Sequence, residues 1–191
     1  SPAMRGFFLA AAAGGYITRL ALSTDDSIFI IGNTTSEMGG SVYYDYVHGI
    51  TGGPVPKVDL QVDKENGKIV QSLIKSGIVT CAHDCSKGGL AIALAEMAIA
   101  GSTGFKVSLD AIPNSCNRTD DLLFSESHSR YLIGTKEPDK VSMTLSSSGV
   151  TFAEIGRAAS GIEFTMGKKK IIKLTLKQLQ ASFSSLSKVM R

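Results

Sequence analysis

The sequence predicts an α/β (α+β) domain with a central mixed sheet flanked by helices. Three observations lead there. Strand-like apolar runs at residues 26–32 and 78–82 alternate with helical patterns at 63–76 and 88–100. Two short strand-like runs, 162–166 and 170–174, follow each other late across Gly167 and Lys168, which is a hairpin rather than a crossover. The 191 residues are 43% hydrophobic and 19% charged and rich in Ala and Gly, which suits one compact core with close helix–sheet packing.

Ser1 to Met4 have the look of a remnant left by cloning. Residues 5–22 hold an Ala-rich run too short and interrupted to cross a bilayer, read as a helix or as the tail of a preceding domain. The expected division is therefore 1–24 as remnant and tail, and 25–191 as the domain. Residues 26–32 are β-branched and aromatic and form a buried strand. A polar loop leads to Gly39, Gly40 and Ser41, with Ser41 as N-cap of a helix to about residue 48. Gly52, Gly53, Pro54 and Pro56 make 49–58 a loop. In 63–76, Val62, Ile69, Val70, Leu73 and Ile74 fall near one face and Lys64, Glu65, Lys68 and Lys75 near another; Gly77 ends the helix.

The pivotal stretch is 81–101. A buried strand, 78–82, turns through residues 83–87 and enters an apolar helix opened by Gly88 and Gly89 and closed by Gly101. Strand, polar turn, glycine pair and helix together bring an anionic ligand to unpaired N–H groups at a helix start. His83 and Asp84 stand at the strand end, where open α/β sheets expose functional side chains; they could equally serve only to orient the turn. Leu90, Ile92, Leu94, Met97 and Ile99 make the helix apolar nearly all round, so it should be covered on most sides. Glu96 alone breaks the run, as an interface-rim carboxylate, a ligand group or the partner of a basic group.

Residues 104–109 alternate as a strand, and 110–118, with Pro113 and Cys116, read as a loop or short helix. Glu126, Ser127, His128, Ser129 and Arg130 then place an acid, hydroxyls, an imidazole and a guanidinium in a row, with Arg130 suited to a forked grip on phosphate. Nothing around Ser127 has the Gly-x-Ser-x-Gly form of a nucleophile elbow. Residues 131–135 form a strand, 137–148 a helix with Pro138 in its first turn, and 150–158 a strand bent or bulged at Gly156. The end, 175–190, is a helix capped by Thr175 with Leu176, Leu179, Phe183 and Leu186 on one face.

Composition narrows the partners. A net charge of +3 gives no argument for nucleic acid or membrane, and Lys168 to Lys170 form a solvated turn. Cys81, Cys85 and Cys116, an odd number, argue for a reducing, cytoplasmic setting rather than a disulfide framework. No second ligand pair at zinc spacing accompanies Cys81 and Cys85, so no metal site is expected, and nothing demands a nucleophilic Cys85.

Three motifs carry a resemblance. His83, Asp84, Ser86, Gly88, Gly89, Leu90 and Ala91, followed by Ala95, Glu96 and Met97, resemble the His-Asp-x-Ser-x-Gly-Gly-Leu-Ala…Ala-Glu-Met signature of the phosphoribosylformylglycinamidine synthases, in their synthetase subunit PurL. Leu123, Phe124, Glu126, Ser127 and Arg130 are similar to that family's Leu-Phe-x-Glu-Ser-x-x-Arg segment. The strand ending in Gly32, with Gly39, Gly40 and Ser41, is similar to the head of the same domain. The resemblance implies a fold like the C-terminal domain of aminoimidazole ribonucleotide synthetase, shared with selenophosphate synthetase, thiamine-monophosphate kinase and the hydrogenase maturation factor HypE. It implies the second C-terminal-type domain of a ligase that converts formylglycinamide ribonucleotide, ATP and glutamine-derived ammonia to formylglycinamidine ribonucleotide in purine biosynthesis.

The cofactors implied are ATP and Mg2+ in the full enzyme. The partners implied are the rest of the synthetase chain, a glutaminase subunit and a small accessory subunit, with a homodimer of this chain as a further arrangement. The family's catalytic histidine and most of its metal ligands lie on domains outside this chain, so the chain alone is expected to be inactive. The ligand- or nucleotide-binding candidates are His83, Asp84, Ser86, Gly88, Gly89, Glu126, Ser127, His128, Arg130, Gly39, Gly40 and Ser41, facing a site that holds an auxiliary nucleotide in some relatives. Lys87 and His128 depart from the family's usual residues, and Lys87 adds positive charge at the turn. A non-catalytic scaffold domain, and a related ATP-dependent synthetase or kinase, are the alternatives.

Overall fold

The computed structural model describes residues 18–189, with side-chain exposure described to residue 184. Seven strands form one sheet: β1 (Ser27–Ile31), β2 (Cys81–Asp84), β3 (Gly104–Ser108), β4 (Tyr131–Thr135), β5 (Phe152–Ala159), β6 (Ile162–Met166) and β7 (Lys169–Leu174). Their order is β2-β4-β1-β5-β3-β6-β7. Only β3 and β6 pair in parallel; every other pairing is antiparallel, so the sheet is mixed, as the sequence predicts.

Among the described residues six α-helices accompany it: α1 (Val42–His48), α2 (Leu60–Lys75), α3 (Gly89–Gly101), α4 (Thr119–Phe124), α5 (Pro138–Ser148) and α6 (Leu176–Val189). Strand alternation decides which face each covers. Ile28 and Ile30 of β1 point to the same side as Phe105, Val107, Ile155, Ile162 and Phe164, where Leu90, Leu94 and Met97 of α3 and Leu122 and Leu123 of α4 pack, with Leu176 and Leu179 of α6 partly buried against them. Phe29, Ile31, Ala82 and Ile133 point the other way, onto Val70, Leu73 and Ile74 of α2 and Val141 and Leu145 of α5. Each of the Val, Leu, Ile, Met and Phe side chains among them contributes about 1.5–3 kcal/mol on burial.

Several boundaries differ from the sequence expectation. The strand expected at 78–82 is Cys81–Asp84, because pairing with β4 sets Cys81 opposite Gly134 and Asp84 opposite Tyr131. His83 and Asp84 therefore belong to the strand and not to the turn. Helix α2 begins three residues earlier than expected, because Asp59 accepts hydrogen bonds from the N–H groups of Gln61 and Val62. Val62 is left exposed, and the inner face holds Asn66 instead. The bulge in β5 falls on Ile155, one residue before Gly156, since Glu154 pairs with Phe29 and Gly156 with Ile28. The stretch 119–124 winds into a short helix.

Residues 18–22 pack on this domain. Arg19 bridges to Cys81, and Leu22 is buried with its N–H donating to the Met97 carbonyl at 3.1 Å. The helix expected within 5–22 lies mostly outside the described residues, and Leu186 lies outside the described side chains.

Candidate functional site

Three separated stretches meet at one cleft. Its volume is about 370 Å³, and Gly39, Gly40, Asp84, Ser86, Lys87, Glu126, His128 and Arg130 contribute to its lining. The polar turn after β2, the loop before α1 and the segment between α4 and β4 are drawn together by one carboxylate. Glu126 Oε1 accepts from the Gly88 N–H at 2.8 Å and from the Val42 N–H at 2.9 Å. These amides open α3 and α1, so the negative charge lies where helix dipoles favour it. The anion that the glycine-pair turn prepares for is thus the protein's own Glu126.

Local geometry explains the glycines there. Gly89 has φ +68°, and a β-carbon on it would run into the Ser125 carbonyl and the Phe124 backbone. Gly39 lies against the Pro54 backbone so closely that a β-carbon has no room. Ser41 is buried and caps α1, its Oγ accepting from the Tyr44 N–H at 3.2 Å. Helix α1 buries none of its residues and is further held by Tyr43 stacked on Phe124, with centroids 4.4 Å apart.

Two of the expected ligand groups turn inward. Arg130 is 1% exposed. Its guanidinium donates to the Ser127 carbonyl at 3.0 Å, to Thr34 Oγ1 at 3.1 Å and to the Ser125 carbonyl at 2.6 Å. The expected fork for phosphate is spent on the backbone of its own loop and on the Thr34 hydroxyl. Ser127 is buried as well, its Oγ accepting from the Thr35 N–H at 3.1 Å and lying 2.8 Å from Ser125 Oγ. Both residues brace the loop that presents Glu126 and His128.

His83 also turns away from the cleft. Its Nε2 lies 2.6 Å from Glu96 Oε2, and its Nδ1 lies 3.3 Å from Asp84 Oδ1. Burial opposes its charge, but the two carboxylates outweigh burial and raise its pKa to about 9. Asp84, bonded to His83, is held below the usual carboxylate range, against the effect of its partial burial. Glu96 is therefore the partner of a basic group, one of the roles its isolation in an apolar helix suggests.

The cleft wall contains residues that no sequence motif singles out. Asp63 of α2 accepts from Ser129 Oγ at 2.8 Å, and Asn66 donates to the Ser129 carbonyl at 2.8 Å. Ser129 takes a left-handed backbone, φ 61°. Tyr131 lines the cleft beside them, and its hydroxyl pKa is raised by burial and by Asp63 and Asp84. The available signal was a polar residue, Asn66, on the apolar face of an amphipathic helix. Among the described residues no group of three or more His, Cys, Asp or Glu side chains could hold a metal ion. Burial, with Asp26 beside it, pushes the Cys81 thiol up to about 12, and burial pushes Cys85 up to about 11, so neither is an activated nucleophile.

A second concavity, of about 420 Å³, lies between α3 and α6, with Ile92, Ile99, Leu179 and Phe183 on its walls and Lys87, Gly88 and Glu96 at its rim. No helix among the described residues is long and apolar enough to cross a membrane.

Comparisons with known proteins agree with this architecture. Residues 23–167 match the family described as AIR synthase related protein, C-terminal domain. The chain is 38% identical over 169 residues to the phosphoribosylformylglycinamidine synthase subunit PurL of Thermococcus sibiricus, covering 86% of this chain and 23% of that protein. It is 41% identical over 132 residues to the PurL subunit of Deinococcus radiodurans, covering 69% of this chain and 17% of that protein. The chain thus spans less than a quarter of the length of these curated relatives. Among solved structures, Thermotoga maritima PurL complexed with FGAR superposes with a TM-score of 0.75 at 18% identity, covering 86% of this chain and 29% of that one. A HypE–HypF complex superposes with a TM-score of 0.61 at 14% identity, covering 82% and 56%; both likenesses concern the fold.

Proposed function

From the premise that the chain belongs to the AIR synthase related C-terminal domain family, we propose that it is the C-terminal domain of a phosphoribosylformylglycinamidine synthase of the PurL type. The whole protein is then a ligase of purine biosynthesis. It uses ATP to activate the amide of formylglycinamide ribonucleotide, and ammonia released from glutamine displaces the activated oxygen. The glutaminase and a small accessory subunit are its partners, in keeping with a solved neighbour described as the PurLQS complex of Thermotoga maritima, and its setting is the cytoplasm. Thermotoga maritima PurL has also been solved complexed with ATP.

One observation carries the reading for this domain. The Gly39–Gly40 loop, the turn after His83 and Asp84, and the Glu126 segment converge on one cleft, pinned by Glu126 across the starts of α1 and α3. The residues present fit a nucleotide only in part. Arg130 is engaged internally and the Gly88 amide is taken by Glu126, which leaves the Lys87 ammonium and the His128 imidazole, both exposed, as side chains that can donate to phosphate. Magnesium has no resident site among the described residues; it would arrive with phosphate oxygens, which is the usual way this ion is held. The cleft is therefore half of a composite site completed by another domain, and the isolated chain is inactive.

The test is calorimetric titration of ATP and ADP with magnesium into this chain and into a longer chain that includes the preceding domain. Binding by the longer chain alone is the expected result. Binding by neither would favour the second reading, a scaffold domain. That reading draws on the apolar groove between α3 and α6, where Ile92 and Phe183 are 42% and 41% exposed, and which would seat a sister domain or a second copy of this chain.

A further inference from the structure

The pivotal histidine touches neither concavity directly, yet it joins them. Asp84 lines the cleft, and Glu96 stands at the rim of the groove between α3 and α6. His83 lies between the two, 10% exposed, with one ring nitrogen toward each carboxylate. Alternation along β2 sends Asp84 to the side of Tyr131 and His83 to the side of α3, so consecutive residues reach opposite faces of the sheet. An imidazole with a carboxylate on each nitrogen can satisfy both only as an imidazolium, since the neutral ring donates from one nitrogen alone.

We propose that His83 is a positioning residue: its imidazolium, kept charged by Glu96 on α3, fixes the carboxylate of Asp84 on the wall of the cleft. Among the described residues, the other titratable and charged groups around this triad are Lys87, which borders both concavities, Tyr131 on β4, Asp63 on α2, the buried Cys85, and Glu126, His128 and Arg130, which line the cleft with Asp84. The described α6 residues beside Glu96, which are Leu179, Ser182 and Phe183, carry no titratable side chain. Among the described residues, Glu96 is the one acidic side chain that approaches His83 from another element. A group that engages Glu96 in the groove would loosen His83 and, through it, Asp84 on the opposite face of the sheet.

Nuclear magnetic resonance tests this on the chain itself, through the ring nitrogens of His83 and the carboxyl carbon of Asp84. The imidazolium is expected to persist to about pH 9, with the Asp84 signal showing an inflection at the same point. Glu96→Gln, at a position 40% exposed, should lower both midpoints together by roughly one to three units. A His83 midpoint near its ordinary 6.5 in the native chain would overturn the proposal. So would an Asp84 signal that stays still while His83 moves.

What this does for a ligand rests on the nucleotide reading of the cleft. There Glu96→Gln should weaken binding of magnesium-ATP, by up to roughly tenfold, at pH 8, where half or more of the variant's imidazole is neutral, and leave it nearly unchanged at pH 5.5, where both proteins are mostly protonated. A merely structural defect would persist at both pH values, and that result would count against positioning. If the native chain and its longer form bind no nucleotide, the cleft reading fails while the two resonance midpoints still decide the role of His83.

Discussion

Glu126 caps Gly88: its Oε1 accepts the Gly88 N–H at 2.8 Å, and the same oxygen accepts the Val42 N–H at 2.9 Å. One carboxylate thus serves two helix starts that are 46 residues apart in the chain. Glu126→Ala removes the acceptor from both and should destabilise the domain by about 1–2 kcal/mol, while Glu126→Gln keeps an acceptor, loses the charge and should cost about half of that. Denaturant unfolding of the two variants would show the order. Equal effects would mean that the charge contributes nothing.

Arg130 is the largest of the fully buried side chains, and each of its three acceptors lies in its own segment or in the loop after β1. Arg130→Ala should cost about 3 kcal/mol or more, because buried carbonyls lose charge-assisted partners and a cavity opens. Arg130→Lys should restore only part of this, since an ammonium cannot reproduce the planar fork. A variant that unfolds normally but loses ligand would instead place the guanidinium in direct binding.

Stability should fall on the alkaline side of neutrality. The folded-state pKa of His83 is about 9 against an ordinary 6.5, so the charged form is favoured by folding. That contribution is fully present below about pH 6.5 and is lost as pH rises through 9. Its size is on the order of 2 kcal/mol, reduced by water at the half-exposed carboxylates. His83→Ala should flatten the stability curve between those pH values, as followed by thermal unfolding across a buffer series.

Gly89→Ala tests the close approach at the start of α3. The left-handed φ of +68° and the contact with the Ser125 carbonyl both oppose a β-carbon. A loss of about 2 kcal/mol or more is expected, well beyond the fraction of a kcal/mol that Gly→Ala usually gains in an unstrained position. Thermal unfolding would measure it.

Thiol labelling should discriminate among the three cysteines. Cys81 and Cys85 are buried with pKa values pushed up to about 12 and about 11, while Cys116 is only partly buried. Under native conditions at pH 7.5, mass spectrometry should find Cys116 alkylated first, with Cys81 and Cys85 protected until the chain unfolds. Rapid modification of Cys85 would contradict the packing of the turn.

The sequence by itself determined the class of the fold and its order of elements. β-branched runs such as 28–31, glycine stops such as Gly149 and the amphipathic spacing of 63–76 are local signals, and each acts within a few residues. It also marked the stretches that meet at the cleft, because glycine pairs before helices and a row of polar residues after an apolar one are unusual locally. Only the tertiary structure decided what those residues do. Strand pairing moved β2 to Cys81–Asp84 and so sent His83 and Asp84 to opposite faces. Packing turned the Arg130 fork inward, made Glu126 the anion for Gly88, and brought Asp63 and Asn66 of α2 to the wall beside Ser129. Apart from the bonds of Arg130 within its own segment, these contacts join residues 38 to 96 positions apart, and a charge has no preference for a partner until the fold sets the distance between them.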